Sequence, residues 1–112
     1  MNEDKNHQEL LEILAKAWET LDATELLNYI HPDFQYDSQW VFASMYADEY
    51  PGYITGKFRT IKASGSKVDI SIVEDDSFGG NMIKLVQDKT RVGYLRIKAT
   101  DGKISKMDMC MF

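Results

Sequence analysis

Leu26-Leu27-Asn28-Tyr29-Ile30-His31-Pro32-Asp33-Phe34-Gln35-Tyr36-Asp37-Ser38 is the stretch in which the chain changes period. Its first half reads as a short helix, stopped at His31-Pro32-Asp33 because proline disfavours helical geometry in the residue before it. From Phe34 the period is two. Phe34, Tyr36 and Ser38 fall on one side of a strand, Gln35 and Asp37 on the other.

Upstream, Leu10, Leu14, Ala17 and Leu21 recur at three- and four-residue steps, and Leu11 and Trp18 widen the stripe. That pattern predicts a first helix. The spacing Asp22-x-x-Glu25 is that of a capping box and predicts the second, shorter helix just before the strand. Downstream, Trp40, Val41 and Phe42 extend the strand or begin another. Pro51 suits the first turn of a third helix, with Ile54, Phe58 and Ile61 as its core face and Ser64-Gly65-Ser66 as its end.

The remainder reads as an antiparallel meander. Val68, Ile70 and Ile72 alternate, Asp76-Ser77-Phe78-Gly79-Gly80 turns, and Ile83 and Leu85 alternate in their turn. After Asp88-Lys89-Thr90 come Leu95 and Ile97, the tight turn Asp101-Gly102, and a last strand from Lys103 to Phe112. This order predicts an α+β fold with two or three N-terminal helices packed on a strongly bent antiparallel sheet. Its expected extent is one domain over residues 1–112, with 1–6 as a flexible polar tail.

Composition narrows the function classes. The chain has 112 residues, 44% hydrophobic and 28% charged, which suits one domain with a core of its own. Thirteen Lys+Arg against eighteen Asp+Glu leave a net charge of -5, a poor match to a phosphate backbone, so nucleic acid is not an expected partner. No run approaches the roughly 18 apolar residues of a membrane span. Cys110 is the only cysteine, and the polar Met1-Asn2-Glu3-Asp4-Lys5-Asn6 lacks the apolar run of a signal peptide, so the expectation is a cytoplasmic protein. His7 and His31 lie in different elements and no Cys or His cluster has metal-ligand spacing, so neither metal nor cofactor is expected.

Three segments, in order, resemble the nuclear-transport-factor-2-like (cystatin-like cone) superfamily, which includes SnoaL-like and ketosteroid-isomerase-like proteins. Leu26 to Phe34 is similar to its short helix leading into strand one. Tyr53-Ile54-Thr55-Gly56-Lys57-Phe58 is similar to the helix that plugs the cone, and Asp101-Gly102-Lys103-Ile104 to the last hairpin. The resemblance runs from Leu10 to the end and implies an apolar pocket between helices and bent sheet. It also implies dimerisation through the outer sheet face. Function stays open at that level.

The resemblance offers a test for catalysis. Matching Asp33 to the acidic residue before strand one puts Ser38 where ketosteroid isomerases carry their base, with Asp37 turned away by alternation. The second acid's place falls on Tyr94 or Leu95, and the alternation of Leu95, Ile97 and Ala99 favours Leu95. The aspartate–arginine–aspartate arrangement of limonene epoxide hydrolases has no evident counterpart. Asp37, through a bulge, and Asp108, whose alternation partners Ile104, Lys106 and Cys110 form a mixed face, are the candidate general bases of an isomerase, lyase or hydrolase.

The reading favoured over catalysis is binding of a small apolar or aromatic molecule by Trp18, Tyr36, Ser38, Trp40, Phe58 and Tyr94. Met107, Met109 and Met111 alternate on one face and are expected to join the outer sheet face in a homodimer. A third possibility is an interaction module whose pocket its own side chains fill.

Overall fold

The first helix starts on a reciprocal cap. The Asn6 side chain accepts from the Glu9 amide at 2.8 Å, and the Glu9 carboxylate accepts from the Asn6 amide at 3.1 Å. Asn6, assigned to the tail by the sequence reading, therefore begins α1 (His7–Thr20). This computed structural model describes residues 5–38, 41–74 and 81–111, excepting the side chains of 41–43 and 111. The expected turn at Asp76-Ser77-Phe78-Gly79-Gly80 lies outside the described residues.

α1 buries Leu10, Leu11, Leu14, Ala17 and Trp18, the stripe expected from their spacing. The second helix differs from expectation. Asp22 spends its carboxylate on the amide and hydroxyl of Thr24, at 2.9 and 2.6 Å, rather than on Glu25. With no side-chain cap, Leu26–Tyr29 forms a single 3-10 turn. β1 (Ile30–Ser38) begins before Pro32 instead of after it. The missing proline N–H falls between Ile30 and Gln35, where pairing with the neighbouring strand is interrupted, so no ladder bond is lost.

The other elements are β2 (Val41–Tyr46), α2 (Tyr50–Ser64, with Pro51 in its first turn), β3 (Val68–Val73), β4 (Met82–Gln87), β5 (Arg91–Thr100) and β6 (Lys103–Met111). They form one six-stranded sheet in the order β2-β1-β6-β5-β4-β3. β1 and β6 run parallel, which makes the sheet mixed where the sequence reading had it antiparallel throughout. The remaining neighbours are antiparallel.

Register irregularities interrupt β1–β2, β1–β6 and β5–β6, and such bulges bend and twist a sheet. One of them decides which way β6 faces. Ala99 pairs with Ile104 but Lys98 pairs with Lys106, leaving Ser105 as the extra residue. Its hydroxyl contacts Thr100 Oγ1 at 2.8 Å and donates to the Lys98 carbonyl at 3.3 Å. The inserted residue reverses the alternation. Ile104, Met107 and Met109 therefore all enter the core, while Lys106, Asp108 and Cys110 are half-buried on the other face.

This corrects the expectation of an exposed methionine row. Met107 and Met109 pack inside with residues of both helices, and the Met111 side chain lies outside the described residues. Among the described residues, no helix is long and apolar enough to cross a membrane.

Candidate functional site

β1 and α2 meet in a cluster of tyrosines. Alternation along β1 turns Phe34 and Tyr36 inward, and the three-residue spacing of Tyr50 and Tyr53 puts both on one side of α2. Ring centroids are 4.8 Å apart for Phe34–Tyr50, 5.2 Å for Tyr36–Tyr50, 5.5 Å for Tyr36–Tyr53 and 6.3 Å for Tyr50–Tyr53, all tilted. Tilted contacts at these separations suit the quadrupoles of aromatic rings.

The hydroxyls lie in an otherwise apolar interior. Tyr50, 0% exposed, donates to Met107 Sδ at 3.4 Å, a weak acceptor. Tyr36 is hydrogen-bonded to Tyr53 and Ser38. Burial pushes the Tyr36 phenol well above its ordinary 10.0, Tyr53 adds to the effect and the Ser38 bond opposes it. Burial also raises Tyr50, with Tyr36 and Tyr53 contributing. Both are neutral hydrogen-bonding groups at physiological pH. Tyr53 is only half-buried and lies at the edge of the cluster, with Lys57 Nζ 6.0 Å from its ring centroid.

Deeper in, Trp18 meets Phe58 edge-on at 5.0 Å. The Trp18 indole N–H is buried and has no hydrogen-bond partner, alone in this among buried side-chain groups of the described residues. An orphaned donor costs roughly 1–3 kcal/mol.

Of the residues chosen from sequence, Trp18, Tyr36 and Phe58 share the interior, and Ser38 joins them through its bond to Tyr36. Trp40 lies outside the described residues. Tyr94 does not belong to this group. Gly93, Leu95 and Ile97 take the inward positions of β5, so Tyr94 faces the other way, opposite Cys110 and Lys84. The sequence reading passed over Tyr50 and Tyr53 as wall residues. Their signal was two aromatics three apart around Pro51.

Asp37 and Asp108 are register partners on the outer face. With Ser38, Arg96, Met109 and Cys110 they line one open groove of about 200 Å³. That volume falls below the ~300 Å³ at which small-molecule pockets begin. Ser44 donates to Asp37, Gln35 Nε2 does so at 3.0 Å, and Lys106 Nζ is 3.2 Å away. The Ser44 bond, helped by Lys106 and Gln35, holds the Asp37 carboxyl below its usual range against an opposing burial effect. Among the described residues no charged side chain is buried, and no group of His, Cys, Asp or Glu is placed to hold a metal.

No protein-family model matches the sequence, and no curated protein matches it. Solved structures do. A SnoaL-like protein of unknown function from Burkholderia thailandensis superposes with TM-score 0.71 at 13% identity, over 94% of this chain and 92% of that one. An NTF2-like protein of unknown function from Cytophaga hutchinsonii gives 0.67 at 11% identity, over 100% and 95%. The fold is that of the nuclear-transport-factor-2-like cone. An LEH-like epoxide hydrolase from M. tuberculosis has the same cone, with TM-score 0.60 at 13% identity over 93% of this chain and 80% of that one. In this chain the tyrosine cluster sits on the inner face of the bent sheet and the Asp37 groove on the outer.

Proposed function

We propose that this NTF2-like domain binds a small, largely apolar molecule at the tyrosine end of its interior. The observation that carries the reading is a set of hydroxyls, Tyr36, Ser38 and Tyr53, running from the buried aromatic core to its half-buried edge. Apolar walls with a few convergent polar groups are the usual composition of a ligand site. The unpartnered Trp18 N–H adds a donor in search of an acceptor.

The same reading includes a homodimer through the outer sheet face. Its support is now electrostatic: Asp37 and Asp108 lie side by side, with Lys106 and Arg96 flanking them. A strip with both signs complements a second copy turned about a two-fold axis.

A hydrolase is the second reading, and one observation favours it. Asp37, Arg96 and Asp108 line a single groove, an aspartate–arginine–aspartate set that the sequence order did not reveal. A general base for this work is normally tuned upward by burial. Asp37 is instead held low by its donors, in an open groove. The binding reading therefore leads.

Native mass spectrometry of gently purified protein, compared with its denatured mass, tests it. The expected result is a dimer carrying small-molecule mass that Tyr36→Ala loses. A protein that stays bare, and shows no thermal shift with any apolar or aromatic compound, would remove the reading.

A further inference from the structure

The end of the cluster is occupied by a phenol of the chain's own, Tyr53. The Tyr53 ring lies 5.5 Å from Tyr36 and 6.3 Å from Tyr50, its hydroxyl is bonded to Tyr36, and Lys57 stands over its outer side. Tyr53 is half-buried, whereas Tyr36 and Tyr50 are 3% and 0% exposed. It is thus the one member of the trio whose ring reaches solvent.

A ring that replaced it would meet two aromatic faces and one neutral hydroxyl. A lysine would stand above it at a distance suited to cation–π attraction. A carboxylate would be desolvated there with no buried charge to pair with, at large cost. A bare hydrocarbon would leave the Tyr36 hydroxyl with one partner fewer.

We infer that the ligand of this site is an uncharged hydroxylated aromatic ring, a phenol in chemical class, which binds by displacing Tyr53 and taking over its contacts. The inference rests on the ligand-binding reading above. Tyr53 then acts as an internal competitor. A protein whose site is partly self-occupied binds with an affinity reduced by the open fraction.

The test uses p-cresol, toluene and 4-methylbenzoate as probes of wild type, Tyr53→Ala and Tyr53→Phe, with affinity from calorimetry and folding checked by circular dichroism. Tyr53→Ala should bind p-cresol at least about fivefold more tightly than wild type, since the competitor is gone. It should prefer p-cresol to toluene by roughly 3- to 10-fold, the worth of one hydrogen bond. Tyr53→Phe keeps the ring but loses its bond to Tyr36, and should fall between wild type and Tyr53→Ala. If the alanine variant does not fold, tighter p-cresol binding by Tyr53→Phe than by wild type supports the displacement, and equal binding overturns it. Toluene binding equal to p-cresol, or tighter 4-methylbenzoate binding, would overturn the phenol class while sparing the binding reading. No binding of any probe to folded protein would defeat both.

Discussion

Tyr36 and Asp37 are consecutive residues of one strand, and their surroundings are opposite in kind. Tyr36 points into a dry interior where burial pushes its phenol upward and keeps it neutral. Asp37 points to the open outer groove, where Ser44, Lys106 and Gln35 hold its carboxyl downward and keep it charged. A sheet covered by helices on one face sorts chemistry by alternation alone. The inner face of this protein carries neutral, closely packed side chains, and the outer face carries charged ones. Fold-mates that differ in function can therefore differ only in what stands at these alternate positions.

The largest effect should come from removing the centre of the inner cluster. Tyr50→Ala deletes a ring that touches Phe34, Tyr36 and Tyr53 and a hydroxyl bonded to Met107. It should cost about 3–5 kcal/mol in urea unfolding. Tyr46→Ala, at a tyrosine 51% exposed, should cost no more than about 0.5 kcal/mol. Comparable losses in the two would break the contrast between the faces.

The next effect is alkaline. A phenol whose folded pKa lies above its unfolded value contributes stability that is complete below the unfolded value and lost as pH rises through the folded one. Tyr36 and Tyr50 should therefore make the melting temperature fall above pH 10.0, the ordinary value, with tyrosinate absorbance appearing on unfolding. Tyr36→Phe should flatten that fall. An unchanged slope would show Tyr36 ionising freely in the folded protein.

The outer face predicts the reverse sign and a smaller size. Asp37 has a folded pKa below the ordinary 3.8, so its contribution is complete above that value and lost as pH falls through the folded one. The pair with Lys106 is about one-third exposed on each side, and solvent screens it. Lys106→Ala should therefore cost only about 0–1 kcal/mol, less in high salt. A loss that ignores salt would mean the pair is shielded from water and that the outer face is not simply a solvated one.

Much of the inner face was legible beforehand. The stripe of α1, the alternation of Phe34, Tyr36 and Ser38, and the Asp101-Gly102 turn are local patterns that tertiary packing reinforced. Three things were not legible, for three reasons. The parallel pairing of β1 with β6 joins segments some seventy residues apart and leaves no mark in either sequence alone. The direction of Asp108 and the methionines depended on Ser105, one extra residue that reversed the alternation, and serine there looks like any strand serine. Tyr50 escaped notice because it stands just before Pro51, where the third helix was expected to start, although it opens α2 and is the most buried of the three tyrosines.

The most direct test of the central claim is to see where a small phenol lands on the folded protein. Amide shifts in a two-dimensional NMR titration with p-cresol should move along residues 50–57 of α2, with the outward-facing Arg96, Asp108 and Cys110 of β5 and β6 left in place. Shifts confined to those outward-facing residues would contradict the account, and would put the working surface of this protein in the Asp37–Asp108 groove.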